Sequence, residues 1–291
     1  MKAADRTILV AYAVTLTAAF SVAALCAAEH PIKVAFVADV AATCVIFAFS
    51  YAWRNSSFYD AYWSVVPPII AVYWLLASDV PDVDPLRCVL LIGLVAAWAV
   101  RLTYNWHRGW SGLDHEDWRY RDMRDKTGRV YWLVSFAGIH MAPTLLVFLG
   151  CLPLYPALAV GTRPFGLLDG FATCWMAAAI WLEARADREL MDYRMSAPLP
   201  GSTLTTGVWR FSRHPNYFGE IAFWWGIAFF GIAAAPEWWW SAIGAVSITL
   251  MFRFISLKLI EDRMSASRSD YAAYVATTSR IIPWRPKTPD G

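Results

Sequence analysis

The stretch RFSRHPNYFGEIAFWWGIAFFGIAAA, residues 210–235, joins a polar cluster directly to a long apolar run. The polar residues of its first eleven positions are Arg210, Arg213, His214, Asn216, Tyr217 and Glu220. The next fifteen residues carry no ionisable side chain. An apolar run of this kind, extended by a turn at either end, is long enough to cross a bilayer as a helix. The stretch therefore predicts a membrane-spanning helix with chemically active groups at its first turn.

Similar apolar runs recur along the whole chain of 291 residues. The chain is 58% hydrophobic, has a mean hydropathy of +0.40 and is only 16% charged, whereas soluble domains carry about 25% charged residues. The predicted spans are 7–28, 32–53, 59–77, 86–106, 130–151, 166–186, 217–235 and 238–258. Because a helix satisfies its own backbone hydrogen bonds in lipid, we predict an all-α polytopic membrane helix bundle with about eight transmembrane helices. No nucleic-acid partner is expected, and the oligomeric state stays open.

The distribution of arginine and lysine predicts the orientation of the bundle. With the N-terminus inside, most cations fall in the inner segments, above all 107–129, 187–214 and the C-terminal tail. The outer segments hold Lys33, Arg163 and the acidic stretch SDVPDVDP, residues 78–85. Cations concentrate on the cytoplasmic side of membrane proteins. Both termini are therefore expected in the cytoplasm, in a bacterial inner membrane or, in a eukaryote, the endoplasmic reticulum.

Several ionisable or amide side chains lie at the inner ends of the predicted spans, where each costs roughly 3 kcal/mol in the bilayer. They are Asp60, Arg101, Asn105, Glu183, Asp187, Glu220, Arg253 and Lys258. Glu183, Asp187 and Arg194 are spaced to share one helical face if the sixth span continues into the cytoplasm. Such residues are functional candidates, although a single arginine or lysine at a helix end can simply reach the headgroups.

The polar cluster before the seventh span has the features of an anion site. Pro215 suits the first helical turn, so the free N–H groups of Asn216 and Tyr217 lie beside Arg213, as phosphate recognition requires. Glu220 follows one turn deeper on the same face as Asn216. The pattern predicts a cytoplasm-facing cavity with a phosphate-compatible rim, acidic groups below it and an apolar interior for a lipid-like substrate. The alternative is an ordinary helix start beside an arginine that contacts headgroups.

Neither a zinc site nor a disulfide framework is expected from the cysteines and histidines of the chain. The five cysteines, Cys26, Cys44, Cys88, Cys151 and Cys174, lie in or beside spans and have no zinc-like spacing, so they are interpreted as buried thiols. The HEDW stretch, residues 115–118, lacks the second histidine of a zinc helix. Neither GxGxxG nor a P-loop is present, so a Rossmann nucleotide domain is excluded.

The segment TGVWRFSRHPNYFGEIAFWWG, residues 206–226, resembles the hallmark of the membrane steroid 5α-reductase C-terminal family. That family includes the bacterial DUF1295 branch and, more distantly, sterol C14 reductases and isoprenylcysteine carboxyl methyltransferases. Four further segments support the resemblance: NSSFYDAYWSVVP (55–67), RLTYNWHRGWSGLDHEDWRYRDMR (101–124), EARADRELMDYR (183–194) and LIEDRMSASRSDYAAYVATTSRIIPW (259–284). The likeness covers residues of about 50 to 285.

The resemblance implies a seven-span reductase core, here residues 31–291, preceded by one additional transmembrane span in residues 1–30. It also implies NADPH as the cofactor and hydride transfer to an activated C=C bond of a lipid such as a 3-oxo steroid. The implied cofactor-binding residues are Arg101, Asn105, Glu183, Asp187, Arg194, Arg213, His214, Asn216, Tyr217 and Arg253. At the first position of the Asn–x3–Asp face of the 5α-reductases, this chain has Glu183 instead of Asn.

The catalytic assignment departs from the steroid reductases, which use a Gln-Glu pair with a tyrosine to polarise the 3-oxo group. The third span of this chain lacks that pair and offers Asp60 and Tyr62, while Tyr104 lies at an Arg/Tyr-rich helix end. Together with Glu220, these are the predicted catalytic residues. For Asp60 to donate a proton to an enone oxygen, burial must raise its pKa.

Two other functions stay open at this point. An S-adenosylmethionine-dependent methyltransferase acting on an isoprenylcysteine-type lipid would share the RHPNYFGE motif, and a non-catalytic lipid-binding membrane protein could keep the fold. The charge of the binding site distinguishes S-adenosylmethionine from NADPH, because a sulfonium favours carboxylates whereas a polyphosphate favours arginines.

Overall fold

The computed structural model describes residues 3–287, and within this range the chain is helical and contains no strand. Residues 1–2 and 288–291 of the predicted N-terminal and C-terminal units lie outside the described range. The α-helices are α1 Ala3–Leu25, α2 Pro31–Ala52, α3 Tyr62–Leu76, α4 Pro85–Gly109, α5 Trp118–Thr127, α6 Tyr131–Val134, α7 Ala142–Cys151, α8 Leu167–Met195, α9 Pro215–Ala234, α10 Ile243–Met251, α11 Leu257–Ser267 and α12 Tyr271–Thr277. The prediction of an all-α membrane bundle is confirmed.

Within the described residues, seven continuous helical stretches are long and apolar enough to cross a membrane. They are Ala4–Leu25, Pro31–Ala52, Pro85–Gly109, Trp118–Val160, Leu167–Met195, Pro215–Ala234 and Pro236–Ser267. The predicted span 59–77 is shorter than expected. It consists of a 3-10 turn, Ser56–Tyr59, followed by the 15-residue helix α3 with Pro67 and Pro68 inside it. At 1.5 Å per residue α3 rises about 22 Å, less than the hydrocarbon core of about 30 Å.

Two of the long stretches change helix type part of the way along their length. A π-helical segment, Ser135–Met141, separates α6 from α7, and another, Phe252–Ser256, separates α10 from α11. Such wide turns are rare in α-helices and are frequent at functional sites. Both segments, with the helix ends next to them, contribute to the cavity described below.

Glycines allow very close packing at two helix crossings. A Cβ atom at Gly219 of α9 would lie 2.9 Å from the Ala179 carbonyl oxygen of α8, so the two backbones nearly touch. At the second crossing, a Cβ atom at Gly244 of α10 would lie 2.1 Å from the Leu149 carbonyl oxygen of α7. A Cβ atom at Gly150 would lie 2.6 Å from Cε3 of Trp224. These contacts fix α8, α9, α7 and α10 around one centre.

The cysteines differ in part from their prediction as buried thiols. Cys88 and Cys151 are buried, but Cys44 on α2 and Cys174 on α8 have exposed side chains. Both lie on faces of spanning helices that no other part of the described chain covers. A thiol is apolar enough for such a lipid-facing position, so hydropathy alone does not separate these faces from the core.

Helix α1 is attached to the part of the chain that carries the site. It packs along α2, and the hydroxyl group of Tyr12 donates a hydrogen bond to the Phe58 carbonyl oxygen at 3.0 Å. Phe58 belongs to the 3-10 turn that immediately precedes Asp60. The first helix therefore supports this turn directly.

Candidate functional site

A cavity of about 480 Å³ lies at the end of the bundle where α4, α8, α9 and the π-helical segments meet. We call it the inner cavity. Its polar lining consists of Asp60, Asp117, Arg119, Tyr120, Glu183, Asp187, Asn216, Tyr217 and Glu220. The remaining wall is largely apolar and includes Trp63, Leu102, Trp106, Ile139, Leu146, Val147, Trp224, Met251 and Phe252. The combination of a polar floor and an apolar wall is typical of small-molecule sites.

Arg101 organises the carboxylates of this cavity. Its guanidinium group lies 2.6 Å from Glu183 Oε1 and 2.8 Å from Asp187 Oδ2. Asn105 donates to the same Asp187 oxygen at 3.0 Å, and Asn216 donates to the other oxygen at 3.4 Å. Because α8 continues without a break to Met195, Glu183 and Asp187 do share a face, as their spacing predicts. The structure therefore brings all five of these predicted cofactor residues together.

Glu220 is fixed at the cavity wall by two tryptophans. Only 5% of the residue is exposed, and its two carboxylate oxygens accept hydrogen bonds from Trp98 at 2.9 Å and Trp224 at 2.8 Å. The Trp98 ring in turn stacks on Phe223 at a centroid distance of 4.4 Å. These contacts hold the carboxylate in one orientation within an otherwise apolar layer.

Asp60 follows the 3-10 turn and lines the inner cavity together with the α8 carboxylates. Its Oδ1 atom accepts a hydrogen bond of 2.6 Å from the hydroxyl group of Tyr120. Burial raises the pKa of Asp60 to about 6, although the hydrogen bond from Tyr120 acts in the opposite direction. A carboxyl group that titrates near neutrality can act as a proton donor.

A second cavity of about 350 Å³ adjoins the first, and we call it the arginine cavity. Its cations are Arg119, Arg194, Arg263 and Arg268, contributed by α5, α8, α11 and the residue after α11. The guanidinium group of Arg263 lies 3.9 Å from the Trp118 ring centroid, which holds it over the cavity. The two cavities share a wall made of Asp117, Arg119, Asn216 and Tyr217. One elongated ligand could therefore occupy both.

The first turn of α9 carries part of this shared wall. Asn216 and Tyr217 line both cavities, and the Tyr217 ring stacks on His214, which lines the arginine cavity. Burial lowers the pKa of His214, so at neutral pH its imidazole is uncharged. The turn lies at a ligand-sized hollow, but the predicted free N–H group of Tyr217 donates to Asn216 Oδ1 at 3.1 Å, so the phosphate site at this turn stays a prediction.

Arg213 differs from the sequence interpretation, since it lines neither cavity. Its Nη1 atom lies 3.1 Å from Glu261 Oε1. Glu261 also forms an ion pair with Arg280 at 2.8 Å. Nε2 of His214 is 3.2 Å from the same carboxylate. Glu261 thus binds three basic groups, and Arg213 serves to attach the turn to the C-terminal part of the chain.

We predict that Glu261→Gln destabilises the protein by about 3 kcal/mol, because it leaves two partly buried arginines without their carboxylate. The measurement is the midpoint of thermal unfolding in detergent. Asp262→Asn is the matched control, because it removes only an exposed pair with Lys258. Equal midpoints for the two variants would contradict this role of Glu261.

Three further predicted site residues lie away from both cavities. The hydroxyl group of Tyr62 donates to Asp39 Oδ1 at 2.8 Å, so Tyr62 faces α2. Tyr104 is exposed on α4 with the Arg108 guanidinium over its ring. Arg253 is exposed as well. Phe252 and Ser256 of the same turn face the inner cavity, and Arg253 points in a different direction from them. None of the three is in position to contact a ligand of the inner cavity.

Sequence reasoning missed the residues that the start of α5 brings to the site, namely Asp117 just before the helix and Arg119 and Tyr120 in its first turn, and also Arg263 and Arg268. The loop before α5 is fixed over the 3-10 turn, because Glu116 accepts hydrogen bonds from the Ser56 backbone N–H at 2.8 Å and from Arg124 at 2.9 Å. The available signal was the length of segment 107–129 on the inner side. Its charges have the composition of an ordinary solvated loop, so only tertiary contacts identify them.

Comparison with known proteins gives a family match. The family model described as "Protein of unknown function (DUF1295)" matches residues 46–278. This range includes every residue that lines the two cavities and begins inside α2. The chain is also similar to the uncharacterized protein C594.04c of Schizosaccharomyces pombe, with 25% identity over 261 residues that cover 82% of this chain and 76% of the yeast protein. No solved structure shows a significant match.

Proposed function

The chain belongs to the DUF1295 family, and from the geometry of its site we propose that it is a membrane oxidoreductase. It transfers hydride from NADPH to an activated C=C bond of a steroid-like or other lipid enone. The observation that carries the proposal is the adjacency of an arginine-lined cavity and a carboxylate-lined cavity that share one wall. The resemblance to the steroid 5α-reductases, stated above from the sequence, supports the same reaction.

The residues present fit NADPH. Arg194, Arg263 and Arg268 supply cationic forks for the phosphate groups, whereas Arg119 already forms an ion pair with Asp117 of the shared wall. Asn216 offers an amide at the shared wall, and Asp187, in the inner cavity beside it, offers acceptors for hydroxyl or carboxamide protons. When bound, NADPH supplies the hydride. The α8 carboxylates, held by Arg101, keep the polar end of the inner cavity in a fixed geometry, which is what near-attack positioning requires.

The acceptor is activated by Asp60 in this proposal. Its protonated carboxyl group donates a hydrogen bond, and then a proton, to the oxygen of the enone, while Tyr120 holds the other side of the carboxyl group. The apolar wall formed by Ile139, Val147 and Phe252 takes the hydrocarbon part of the substrate. The tryptophans of the same wall, Trp63, Trp106 and Trp224, add apolar surface around the substrate, and a ligand that fills the cavity displaces its water.

A specific observation also favours the second candidate, a methyltransferase that uses S-adenosylmethionine. Asp60, Asp117, Glu183 and Asp187 give the inner cavity an acidic lining that suits a sulfonium. S-adenosylmethionine carries one carboxylate and no phosphate, so it can pair with at most one of the arginines of the neighbouring cavity. The charge of the arginine cavity is therefore the reason to prefer NADPH, and both cofactors belong in the same experiment.

The test is a titration of the detergent-purified protein with NADPH, NADH and S-adenosylmethionine, in which the equilibrium binding of each cofactor is measured. We expect saturable NADPH binding that Arg263→Gln weakens about 10- to 100-fold, because one charge-assisted contact contributes about 1.5–3 kcal/mol. Arg253→Gln is the control, since Arg253 is exposed and lines neither cavity. Absence of nucleotide binding at millimolar concentration would refute the reductase. Retention of S-adenosylmethionine instead would establish the methyltransferase, and binding of neither cofactor would leave a non-catalytic lipid-binding role.

We further propose that both cavities open toward the cytoplasm, where NADPH is available. The basic residues of the arginine cavity and of segment 107–129 lie at one end of the bundle, and the positive-inside rule places that end in the cytoplasm. We take α3, with the 3-10 turn before it, as an eighth crossing beside the seven long stretches, and both termini then lie on the cytoplasmic side, of a bacterial inner membrane or of the endoplasmic reticulum.

A further inference from the structure

The C-terminal segment 278–287 runs along the turn that precedes α9. The Arg213 backbone N–H donates to the Ser279 carbonyl oxygen at 2.8 Å, and the Trp284 N–H donates to the Phe211 carbonyl oxygen at 2.8 Å. The hydroxyl group of Ser212 donates to the Ile281 carbonyl oxygen at 2.6 Å. These bonds use the polar edge of the segment. Its other edge is directed away from the bundle.

The outward edge of this segment is apolar and strongly exposed. Ile282 is 63% exposed, Trp284 is 73% exposed, and the neighbouring Phe211 is 38% exposed. Trp284 pairs with Phe211, four residues before the spanning helix α9 begins at Pro215. The exposed side chains therefore lie close to the start of a spanning helix, and tryptophan is enriched at the membrane interface where such helices begin.

Cations flank this apolar edge. Arg210, Arg285 and Lys287 are exposed, and within residues 3–287 none of them forms an ion pair with a carboxylate. The backbone N–H of Lys287 donates to the Thr277 carbonyl oxygen at 2.8 Å, so the charged end of the segment is held against α12. The result is a local excess of positive charge at the membrane surface.

An open hollow of about 490 Å³ lies beside these cations. Its lining consists of Thr205, Arg210, Asp270, Ala273, Tyr274, Thr277, Thr278 and Pro286. The two oxygens of Asp270 accept hydrogen bonds from the Thr203 backbone N–H at 2.8 Å and the Thr203 hydroxyl group at 2.5 Å. One guanidinium group and several hydroxyl groups around a hollow are the donors that a phosphate group requires.

We propose that this hollow and the adjoining apolar edge form a binding site for an anionic phospholipid of the surrounding membrane. The phosphate headgroup occupies the hollow beside Arg210, and Ile282 and Trp284 enter the interfacial layer next to its acyl chains. Arg285 and Lys287 give the site its preference for a lipid with a net negative charge. The site lies outside both cavities and does not depend on the proposed reductase activity.

The experiment is a titration of the delipidated full-length protein in detergent with phosphatidylglycerol and with phosphatidylcholine of the same acyl chains. Bound lipid is counted by native mass spectrometry. We expect tighter binding of phosphatidylglycerol, and about a fivefold loss of that affinity for each charge removed, in Arg210→Gln and in the double variant Arg285→Gln/Lys287→Gln. Arg129→Gln is the matched control, because it removes an exposed cation outside the hollow.

Three results would overturn the proposal. Equal affinities of the wild-type protein for the two lipids would show that no anionic headgroup is recognised. An equal loss in Arg129→Gln would show diffuse attraction to the whole basic surface. Complete displacement of the lipid by about 10 mM inorganic phosphate would show a site for free anions. The wild-type comparison needs no substitution, so it decides the matter even where a variant fails to fold.

Discussion

Replacement of Asp60 by Asn is expected to lower the turnover of an enone acceptor by about 10²- to 10⁴-fold while NADPH binding is retained. The size is that of a lost general acid. The variant keeps the shape of the side chain and can still accept the hydrogen bond from Tyr120. Its amide group cannot transfer a proton to the enone oxygen. The measurement is NADPH oxidation with a lipid enone under saturating cofactor. Asp122→Asn, which removes an exposed carboxylate paired with Lys126, is the control.

The pH dependence gives an independent test of the same role. Because burial raises the pKa of Asp60 to about 6, its acid form is present below this pH and is lost as the pH rises. Turnover should therefore fall as the pH increases through about 6, and the Asn variant should lack this step. The hydrogen bond from Tyr120 lowers the pKa of Asp60, so Tyr120→Phe should move the step to higher pH. A step that stays in place in Asp60→Asn would assign the proton to another group.

Loss of catalysis can be separated from loss of folding at this position. A carboxyl group with a raised pKa contributes stability in its protonated form, and that contribution is lost as the pH rises through about 6. At pH 7.5 the native protein therefore holds Asp60 in its less favourable ionised form. The neutral Asn should not lower the unfolding temperature there, so an inactive but stable variant is the expected combination.

Arg101→Gln is expected to destabilise the protein by about 3–5 kcal/mol, the usual effect of removing one partner from a buried ion pair. Arg101 contacts both Glu183 and Asp187, and its side chain is almost fully enclosed. Its removal leaves two carboxylates in an apolar layer without their cation. The measurement is thermal unfolding in detergent, with the exposed Arg108→Gln on the same helix as the control.

The companion variant Glu183→Gln sharpens this test. It keeps a side chain of the same shape next to Arg101 and leaves Asp187 as the remaining carboxylate partner. We therefore expect a smaller loss of stability than in Arg101→Gln. If Arg101→Gln unfolds at the temperature of the wild-type protein, the carboxylates do not depend on Arg101 for their charge balance.

The helices and one half of the site could be predicted from the sequence because their signals are local. Hydropathy locates the spans, and helical periodicity brings Glu183 and Asp187 to one face. The Pro215 signal gives the start of α9 and therefore the position of Asn216 and Tyr217. Each of these inferences needs only neighbours within a few residues along the chain.

The other half could not be predicted because it depends on contacts between distant segments. Arg213 and Glu261 are far apart in the sequence, and no pattern predicts that they meet. In the structure they form an ion pair, and Arg213 therefore does not line either cavity. Trp98 and Trp224 look like ordinary apolar residues of two spans until both are seen to donate to Glu220. The length of α3 was overestimated because its apolar run begins in a 3-10 turn that has the same hydropathy as a helix.

The crossing of α7 and α10 has a consequence for variants far from any polar group. A methyl group added at Gly150 would have to displace the Trp224 ring, since the two would come within 2.6 Å. That ring is one of the two that hold Glu220 by its oxygens. Substitution of Gly150 is thus mechanically linked, through Trp224, to the Glu220 carboxylate at the wall of the inner cavity. A substitution of Gly150 is therefore expected to impair function, although Gly150 does not line the inner cavity.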